Sequence, residues 1–346
     1  MFSYRHGFHA GNHADVLKHT VLAQVLSYFR LKDAPFWGID THAGAGLYDL
    51  AGDWANKKAE YVDGVARVWA KMPGGTVAED SLPDVFGPWL EVLKRLNPDG
   101  QMRLYPGSPW LWLDGWRTQD RLKLIEHLPV EAEVLRRNLD QRRDLPPRAV
   151  QVLDQDGFET LKAFLPPTTR RGIVLMDPSY EDKHDYQRVT DTVRDAITRF
   201  PTGTYMIWYP RVNRLQVEQM RRQLRKIAAT NWLDVEMTVS KPPLDGHGLF
   251  GSGCFLINPP YTLEPLLRSA MPWLTKTLAQ DETARWSIET GDGKAQDDSK
   301  THPTKSFKAT NQSRGPSRMP GSTSVLSGAG QGSYQRKPLP SRKPKA

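Results

Sequence analysis

The stretch Gly172–Tyr180, which reads GIVLMDPSY, decides the fold of this 346-residue chain. Its four consecutive apolar residues, Ile173–Met176, predict a short strand that is buried on both faces, as in a parallel sheet. Asp177 and Pro178 end that strand, because proline has no N–H group to donate to a neighbouring strand. In open parallel sheets the ligand crevice lies at the carboxyl ends of the strands. The stretch therefore predicts an acid, a proline and an aromatic ring beside a bound ligand.

Three upstream segments show the same arrangement of an apolar run followed by an acid. These are Phe36–Asp40, Leu122–Glu126, and Ala149–Leu153 with Asp156 shortly after it. Further strands are predicted at residues 204–208, 233–239 and 253–258, and helices at residues 12–31, 110–117, 131–142, 186–200 and 214–228. Residues 49–103 interrupt the alternation and predict a small helical insertion. This pattern predicts an α/β fold with one doubly wound sheet.

The charges divide the chain into two parts. Residues 291–346 carry eleven of the 47 lysine and arginine side chains and three of the 39 acidic ones, so the whole net charge of +8 lies there. This segment is rich in Gly, Ser, Pro, Thr and Lys and has no apolar periodicity, which predicts disorder. We place the folded domain at residues 1–283 and a disordered basic tail at residues 284–346. Such a tail adds salt-dependent affinity for RNA without reading sequence.

Several classes of protein are excluded by composition. The single cysteine, Cys254, allows neither an internal disulfide nor a zinc site of several thiolates. The first residues lack the apolar segment of a signal peptide, and no apolar run approaches ~18 residues. We expect a cytoplasmic, monomeric protein without a membrane span.

Four histidines near the start, His6, His9, His13 and His19, raise the question of a metal site. Gly7 and Gly11 break the helical register that would align the first three, and no acidic or thiolate cluster lies nearby. We therefore expect no metal. Together with Tyr4 and Arg5 in the same segment, the histidines are better suited to stacking on bases and contacting phosphate.

The first strand is followed by a glycine-rich turn, Gly44-x-Gly46, which lets the backbone approach a ligand closely. Asp40 and this turn match the D/E-x-x-x-G-x-G pattern of S-adenosylmethionine (SAM) methyltransferases. Glu126 is placed to accept from ribose hydroxyls and Asp156 from an adenine amino group. We expect Asp40, Glu126 and Asp156 to hold an adenosine cofactor and Asp177 to face the substrate. An NAD dehydrogenase is the nearest structural rival, although Asp49 stands where its third glycine would be.

Five segments in this order closely resemble the bacterial 23S ribosomal RNA adenine-N6-methyltransferases: FSYRHGFHAGNHADVLKH, DTHAGAGLY, YPGSP, DGF and DPSY. The resemblance covers about residues 1–280 and implies a Rossmann-like class I fold that uses SAM as its cofactor and 23S rRNA as its partner. It implies SAM contacts at His19, His42, Ser108, Glu126, Asp156, Gly157 and Asp177. It also implies an rRNA contact at Tyr4, with Lys18 beside it. Ser179 replaces the second proline of the family's D-P-P-Y motif, which should loosen the turn.

The resemblance places catalysis at Asp177, Pro178 and Tyr180. Asp177 and the Pro178 carbonyl would accept the two protons of an adenine amino group, and Tyr180 would stack on a base turned out of its helix. A more literal match to the motif, NPPY at Asn258–Tyr261, follows the last of the predicted strands. In this fold that strand runs antiparallel, so we expect the NPPY segment to be structural.

Three other functions remain open at this point. The same catalytic group serves DNA adenine methylation, although no separate base-reading domain is visible in the sequence. A protein-glutamine methyltransferase also acts on a planar amide. A non-catalytic RNA-binding protein would not need the acids at the strand ends.

Overall fold

The computed structural model describes residues 6–72, 82–142, 144–146, 148–228, 231–243 and 248–291. Tyr4 and residues 292–346 lie outside this range, so the RNA contact of Tyr4 and the disorder of the tail stay predictions. The strands in the described part are β1 (Trp37–Asp40), β2 (Leu47–Asp49), β3 (Leu104–Pro106), β4 (Arg121–Ile125), β5 (Val150–Leu153), β6 (Gly172–Met176), β7 (Thr204–Arg211), β8 (Trp232–Thr238), β9 (Gly251–Ile257) and β10 (Arg285–Thr290).

The α-helices of the described part alternate with these strands. They are α1 (His13–Arg30), α2 (Asp53–Lys58), α3 (Val65–Trp69), α4 (Gly87–Leu96), α5 (Ser108–Leu113), α6 (Pro129–Asp140), α7 (Gly157–Thr160), α8 (Asp185–Arg199), α9 (Leu215–Ala228) and α10 (Leu263–Leu278). Three of them, α2, α3 and α4, lie within residues 49–103, where the sequence predicts a helical insertion. In the described part, no helix combines the length and the apolar character that crossing a membrane requires.

Eight strands form one sheet in the order β5-β4-β1-β6-β7-β9-β8-β10, while β2 and β3 pair separately. Strands β5, β4, β1, β6 and β7 are parallel. Strand β9 is antiparallel to both of its neighbours, β7 and β8. The strand order reverses between β1 and β6, and such a switch point opens a crevice at the carboxyl ends of the two strands. The fold therefore brings the residues after β1 and after β6 to one crevice.

The central strand β6 is buried along its whole length because it faces a hydrophobic core on each side. Ile173 and Leu175 pack into the core that α1 and α10 cover. Val174 and Met176 point to the opposite face, into the core beneath α8 and α9. Successive side chains of a strand alternate between faces, so an uninterrupted apolar run is what a strand between two helical layers requires.

Helix α1 begins at the predicted cap. The Asn12 side chain accepts hydrogen bonds from the backbone N–H groups of Ala14 (2.9 Å) and Asp15 (3.0 Å), which satisfies two donors that lack helical partners. The helix is buried on nearly every side through its first three turns. Its polar residues Asp15, Lys18 and His19 are consequently enclosed in the protein interior, where each needs a partner.

The domain boundary at residue 284 is wrong, because residues 285–290 form β10. This strand pairs antiparallel with β8, and Ile288 at its centre is fully buried. Polar residues occupy Arg285, Ser287 and Glu289, so only one face of this edge strand is apolar and the sequence signal is weak. The folded part of the chain thus extends at least to Gly291.

Helix α9 carries four basic residues, Arg221, Arg222, Arg225 and Lys226, and such a run is either a solvated face or a contact surface for nucleic acid. Two of them are committed to the protein itself. Arg221 donates to Asp234 from Nη2 (2.9 Å), and Arg225 pairs with Asp234 and Glu289 (3.1 and 2.8 Å). Arg221 is buried and Arg225 is partly buried, and both are engaged in ion pairs within the protein, whereas Arg222 and Lys226 are exposed.

The NPPY segment lies at the sheet edge opposite the crevice. Asn258 donates from its amide to the carbonyls of Pro201 (2.8 Å) and Gly203 (2.7 Å), and accepts from the Asn231 amide (2.9 Å). It holds this position with a φ of +51°, in the left-handed region that asparagine tolerates. These contacts connect the start of β7 to the end of β9, which supports the structural interpretation of the motif.

We expect Asn258→Ala to lower the free energy of unfolding by about 1–3 kcal/mol, because the carbonyls of Pro201 and Gly203 lose their donor and alanine tolerates a positive φ poorly. The turnover number of the folded variant should stay unchanged. Urea denaturation and initial rates measured on the same preparation check both expectations. A selective loss of turnover with an unchanged urea midpoint would place chemistry at this segment.

Candidate active site

A cavity of about 280 Å³ lies at the carboxyl ends of β1, β4, β5 and β6; we call it the cofactor cavity. The predicted cofactor residues all line it: His19, His42, Ser108, Glu126, Asp156, Gly157 and Asp177. They come from six separate parts of the chain, which the fold brings together at the carboxyl ends of the parallel strands. Whether each contacts a cofactor stays a prediction.

Glu126 fastens the glycine-rich turn to the end of β4. Its carboxylate accepts from the N–H of Gly44 and from the N–H of Leu128, both at 2.8 Å. Burial raises the pKa of this carboxyl above its ordinary value, and the two backbone donors oppose that rise. Each carboxylate oxygen can accept more than one hydrogen bond, so capacity remains for a pair of ribose hydroxyls.

Asp156 begins α7 and is held by an arginine that the sequence did not identify. Its Oδ1 accepts from the N–H groups of Phe158 and Glu159, and its Oδ2 accepts from Arg188 at 2.6 Å. The Arg188 guanidinium also lies over the Phe158 ring, 4.3 Å from the centroid. Burial would raise the pKa of Asp156, but its contacts with Arg188 and the backbone outweigh burial and lower it. Asp156 is thus a carboxylate beside a flat aromatic surface.

Two histidines of the cavity are neutral. Burial lowers the pKa of His42 and of His19 to about 3. The His42 Nδ1 lies 2.8 Å from the Thr41 hydroxyl, which itself donates to the Leu175 carbonyl, so Nδ1 carries the ring proton. His19 Nδ1 bonds to the Tyr105 hydroxyl at 2.8 Å. These two imidazoles therefore add no positive charge to the cavity.

Asp40 does not contact the cavity, which corrects its predicted place among the cofactor carboxylates. It is fully buried and accepts from the Trp112 indole N–H (3.1 Å) and the His42 backbone N–H (3.3 Å). Burial raises its pKa to about 6, and hydrogen bonds from Ser108 and Trp112 oppose the rise. Asp40 therefore supports the turn after β1, and the residues of that turn line the cavity.

Gly157 packs directly on the strand end of β1. A Cβ at this position would lie 2.0 Å from the Thr41 carbonyl oxygen, far inside van der Waals contact. Only a residue without a side chain lets α7 approach the Thr41–His42 backbone so closely. This packing closes the cavity beside Asp156.

We expect Gly157→Ala to cost about 1–3 kcal/mol of stability, because the backbone on one side must move to admit the methyl group. SAM affinity should fall as well, since the displaced segment lines the cavity. Thermal unfolding and calorimetric titration with SAM measure the two effects. Gly87→Ala is the matched control: a Cβ there meets nothing within 4 Å, so neither quantity should fall. Equal stability and equal SAM affinity of Gly157→Ala and Gly87→Ala would contradict the expectation.

A second cavity adjoins the first; we call it the substrate cavity. It is lined by residues of α1, the DPSY loop, the start of α8, β7 and the turn before α9, among them Asp15, Lys18, Tyr180, Tyr186, Trp208 and Arg214. Asp177, Lys18 and Ser179 border both cavities. Asp177 therefore stands where a group bound in one cavity meets a group bound in the other.

Asp177 is paired with Lys18 of α1. The Lys18 ammonium lies 2.5 Å from Asp177 Oδ2 and 2.8 Å from Asp15 Oδ1. Burial alone would lower the pKa of Lys18, but the two carboxylates outweigh it and raise that pKa well above the ordinary value. Burial raises the pKa of Asp177, and Lys18 opposes the rise. A charged lysine thus favours the carboxylate form of a buried aspartate.

Asp15 connects Lys18 to the N-terminal segment through hydrogen bonds. It accepts from His6 Nε2 at 3.0 Å and from the Gly11 backbone N–H at 2.9 Å. Asp15 is a site residue that was not predicted, although its position three residues before Lys18 places both on one helix face. Of the other early histidines, His9 bonds to Glu60 at 2.9 Å.

Hydrogen bonds and ring packing hold Tyr180 in one position. Its φ is +54°, its hydroxyl donates to the Trp208 carbonyl (2.7 Å), and its own carbonyl accepts from Arg214 (2.8 Å). The ring packs against Tyr186, with 4.7 Å between centroids, and is almost fully buried. Its remaining surface borders the substrate cavity. Stacking on a base stays a prediction, and the tethered hydroxyl would keep the ring in place for it.

The strand order, the antiparallel β9 and the carboxylates at the parallel strand ends define a class I, Rossmann-like methyltransferase. The chain belongs to the family described as "Ribosomal RNA large subunit methyltransferase D, RlmJ", whose model matches residues 33–290. The resemblance and the fold class inferred from the sequence are thereby confirmed.

Characterised relatives match over nearly their full length. The ribosomal RNA large subunit methyltransferase J of Escherichia coli is 41% identical over 288 residues, which cover 83% of this chain and 98% of the relative. The protein of the same name from Haemophilus influenzae is 40% identical over 290 residues, 84% and 98% of the two chains. The crystal structure of LPL1258 from Legionella pneumophila superposes with a TM-score of 0.72 at 35% identity, covering 82% of this chain and 98% of that one.

Proposed function

We propose that this enzyme transfers a methyl group from SAM to the N6 amino group of an adenine in 23S ribosomal RNA. One observation carries the proposal: Asp177 and Pro178 end the central strand at the junction of the cofactor and substrate cavities. A methyl donor in one cavity and a base in the other would meet beside these two residues.

The chemical difficulty lies in the amine, because the N6 lone pair of adenine is delocalised into the ring and is a weak nucleophile. Bound SAM supplies a methyl group on a positively charged sulfur. Asp177 and the Pro178 carbonyl would accept the two N6 protons and favour a pyramidal nitrogen, whose lone pair then points at the methyl group. Positioning of this kind contributes a large part of many enzymatic rate enhancements. Asp177 is also the nearest base for the proton that leaves.

Lys18 helps to keep the Asp177 carboxyl in its charged form. A protonated carboxyl could accept fewer hydrogen bonds and could not take a proton from the amine. The ion pair with Lys18, 2.5 Å long, opposes the effect of burial on the Asp177 pKa. Lys18 therefore acts through Asp177, and its own ammonium borders the substrate cavity, beside the place expected for the base.

The residues of the cofactor cavity suit SAM. Glu126 has acceptor capacity for ribose hydroxyls, and Phe158 with the Arg188–Asp156 pair forms a flat wall for adenine. His19, His42, Ser108 and Gly157 would surround the rest of the molecule. The Asp177 carboxylate lines the same cavity and would lie near the positive sulfonium. Tyr180 and Trp208 would hold the target base in the substrate cavity, with Tyr4 as the predicted rRNA contact.

Incubation with radiolabelled SAM and four acceptors in parallel tests the proposal. The acceptors are unmodified 23S rRNA transcript, 16S rRNA transcript, duplex DNA and a protein mixture. We expect label in 23S rRNA, recovered as N6-methyladenosine after digestion. Label only in DNA would establish a DNA adenine methyltransferase, and label only in protein a protein-glutamine methyltransferase. Binding to rRNA without transfer to any acceptor would leave a non-catalytic RNA-binding protein.

A further inference from the structure

Helices α8 and α9 enclose a groove of about 420 Å³ on the surface beside the substrate cavity; we call it the α8–α9 groove. Its exposed rim carries Lys183, Arg222 and Lys226. The other polar side chains that line it are Gln187, Thr190, Gln216, Gln219 and Gln223. Among the described residues of this lining none is acidic, so the groove presents positive charge and amide donors together.

The groove and the substrate cavity share one wall residue. Tyr186 lines both, and its ring lies 4.7 Å from that of Tyr180. Met220 forms part of the groove floor and its sulfur lies 3.8 Å from the Tyr180 hydroxyl. A strand leaving a base in the substrate cavity can therefore enter the groove past a single aromatic ring.

The polar face of α9 that borders the groove is about as long as a short stretch of RNA backbone. Gln219, Arg222, Gln223 and Lys226 follow the i, i+3, i+4, i+7 pattern of one helix face. Seven residues of α9 span ~10 Å. Stacked nucleotides advance by about 3.4 Å each, so this face is as long as three nucleotides. Amide and cationic donors at such intervals suit phosphate oxygens.

The hollow on the other side of α8 has acidic as well as basic residues in its lining, unlike the α8–α9 groove. On the other side of α8, the surface hollow contains Glu159, Asp191 and Asp195 together with Lys162, Arg188 and Arg199. There Arg199 pairs with Asp195 at 2.7 Å. In the described part of the chain, Lys183, Arg222 and Lys226 form no such ion pair, so their charge stays available to a polyanion.

We propose that the α8–α9 groove binds the phosphate backbone of the RNA strand next to the target nucleotide. This inference rests on the proposed function, since it assigns a path to the substrate of the same site. The groove would hold the strand without reading its sequence, because its cations address phosphate rather than base edges. Base recognition would remain with the substrate cavity.

The test compares the full-length double variant Arg222→Glu/Lys226→Glu with Lys32→Glu/Lys276→Glu. The control removes the same charge at exposed positions outside the groove, on the part of the chain that covers the other face of the sheet. Affinity for unmodified 23S rRNA transcript is measured against salt concentration. Two lost phosphate contacts should lower the slope of log K against log salt by about 1.4–1.8 and weaken binding about tenfold or more at 0.1 M salt. The control should change the slope by less than half as much.

Arg222→Gln/Lys226→Gln should show an intermediate loss of affinity. All variants should keep the wild-type melting temperature and SAM affinity, and their kcat at saturating RNA should be unchanged while KM rises. If the groove and control variants show equal slopes while wild-type protein methylates the transcript, the role of the groove in RNA binding is overturned and the proposed function is not. Absence of transfer by wild-type protein would overturn the proposed function, and with it the role of the groove as a substrate path.

Discussion

Replacing Asp177 by asparagine should lower kcat for methyl transfer by about 100- to 10,000-fold, the range over which a positioned base contributes. Asparagine keeps the shape of the side chain but has only one acceptor oxygen and cannot take a proton. Affinity for RNA should stay within about twofold, because the groove and the tail are unchanged and asparagine keeps the shape of the side chain that borders the substrate cavity. Single-turnover rates with labelled SAM, together with RNA binding by filter retention, separate the two quantities.

Asp191→Asn is the matched control for this variant. It makes the same change of carboxylate to amide on α8, at an exposed residue that lines neither the cofactor cavity nor the substrate cavity. We expect its kcat to equal that of wild type. Substantial turnover by Asp177→Asn would move the chemistry to another residue.

The same assignment predicts a pH dependence. Asp177 acts only as a carboxylate, and burial raises its pKa above the ordinary value of an aspartate. The rate of transfer in wild-type protein should therefore fall as the pH falls through this raised pKa. The pH profile of single-turnover rates, measured at saturating SAM and RNA, should show one acid limb.

Replacing Lys18 by methionine should lower the free energy of unfolding by about 3–5 kcal/mol, the cost of breaking a buried ion pair by removing one partner. Asp15 and Asp177 would then face each other in the interior without the cation that lies between them. Turnover should fall as well, because the loss of Lys18 raises the Asp177 pKa further and lowers the fraction of Asp177 in the carboxylate form. Urea denaturation and the pH–rate profile measure the two effects.

The sign of the pH effect on this variant follows from the shift of the Asp177 pKa. Without Lys18 the folded-state pKa lies further above the unfolded value of ~3.9. The stability that protonation contributes is then fully present below ~3.9 and is lost as the pH rises through the folded-state pKa. Lys18→Met should thus differ least from wild type in acid and most at neutral pH, and the acid limb of its rate profile should move to higher pH.

Lys94→Met is the matched control. Lys94 also pairs with an acid three residues before it, Glu91 at 2.8 Å, but both side chains are about half exposed. Exposed pairs of this kind contribute less than ~1 kcal/mol. A Lys18→Met variant as stable as Lys94→Met would show that Asp15 and Asp177 do not need the lysine.

Much of the site could be predicted because it depends on residues near one another in sequence. The Asn12 cap, the Gly44-x-Gly46 turn and the acids after β4, β5 and β6 are all local signals. Their convergence followed from the rule that parallel strands place their carboxyl ends at one edge. Asp40 shows the limit of that rule, because a strand-end acid can point below the turn as well as into the crevice.

The sequence by itself determined the central strand, the order of the elements and the chemistry of the crevice, since apolar runs, caps and turns are decided by neighbouring residues. Only the tertiary structure decided which distant charges share one environment. Lys18 and Asp177 are 159 residues apart, and Arg188 and Asp156 are 32 apart. A charge in the interior must find a partner there, and the partner is whatever the packing of remote elements brings within reach. The same packing turned Arg221 inward to Asp234, added β10 to the edge of the sheet and left Arg222 and Lys226 facing solvent.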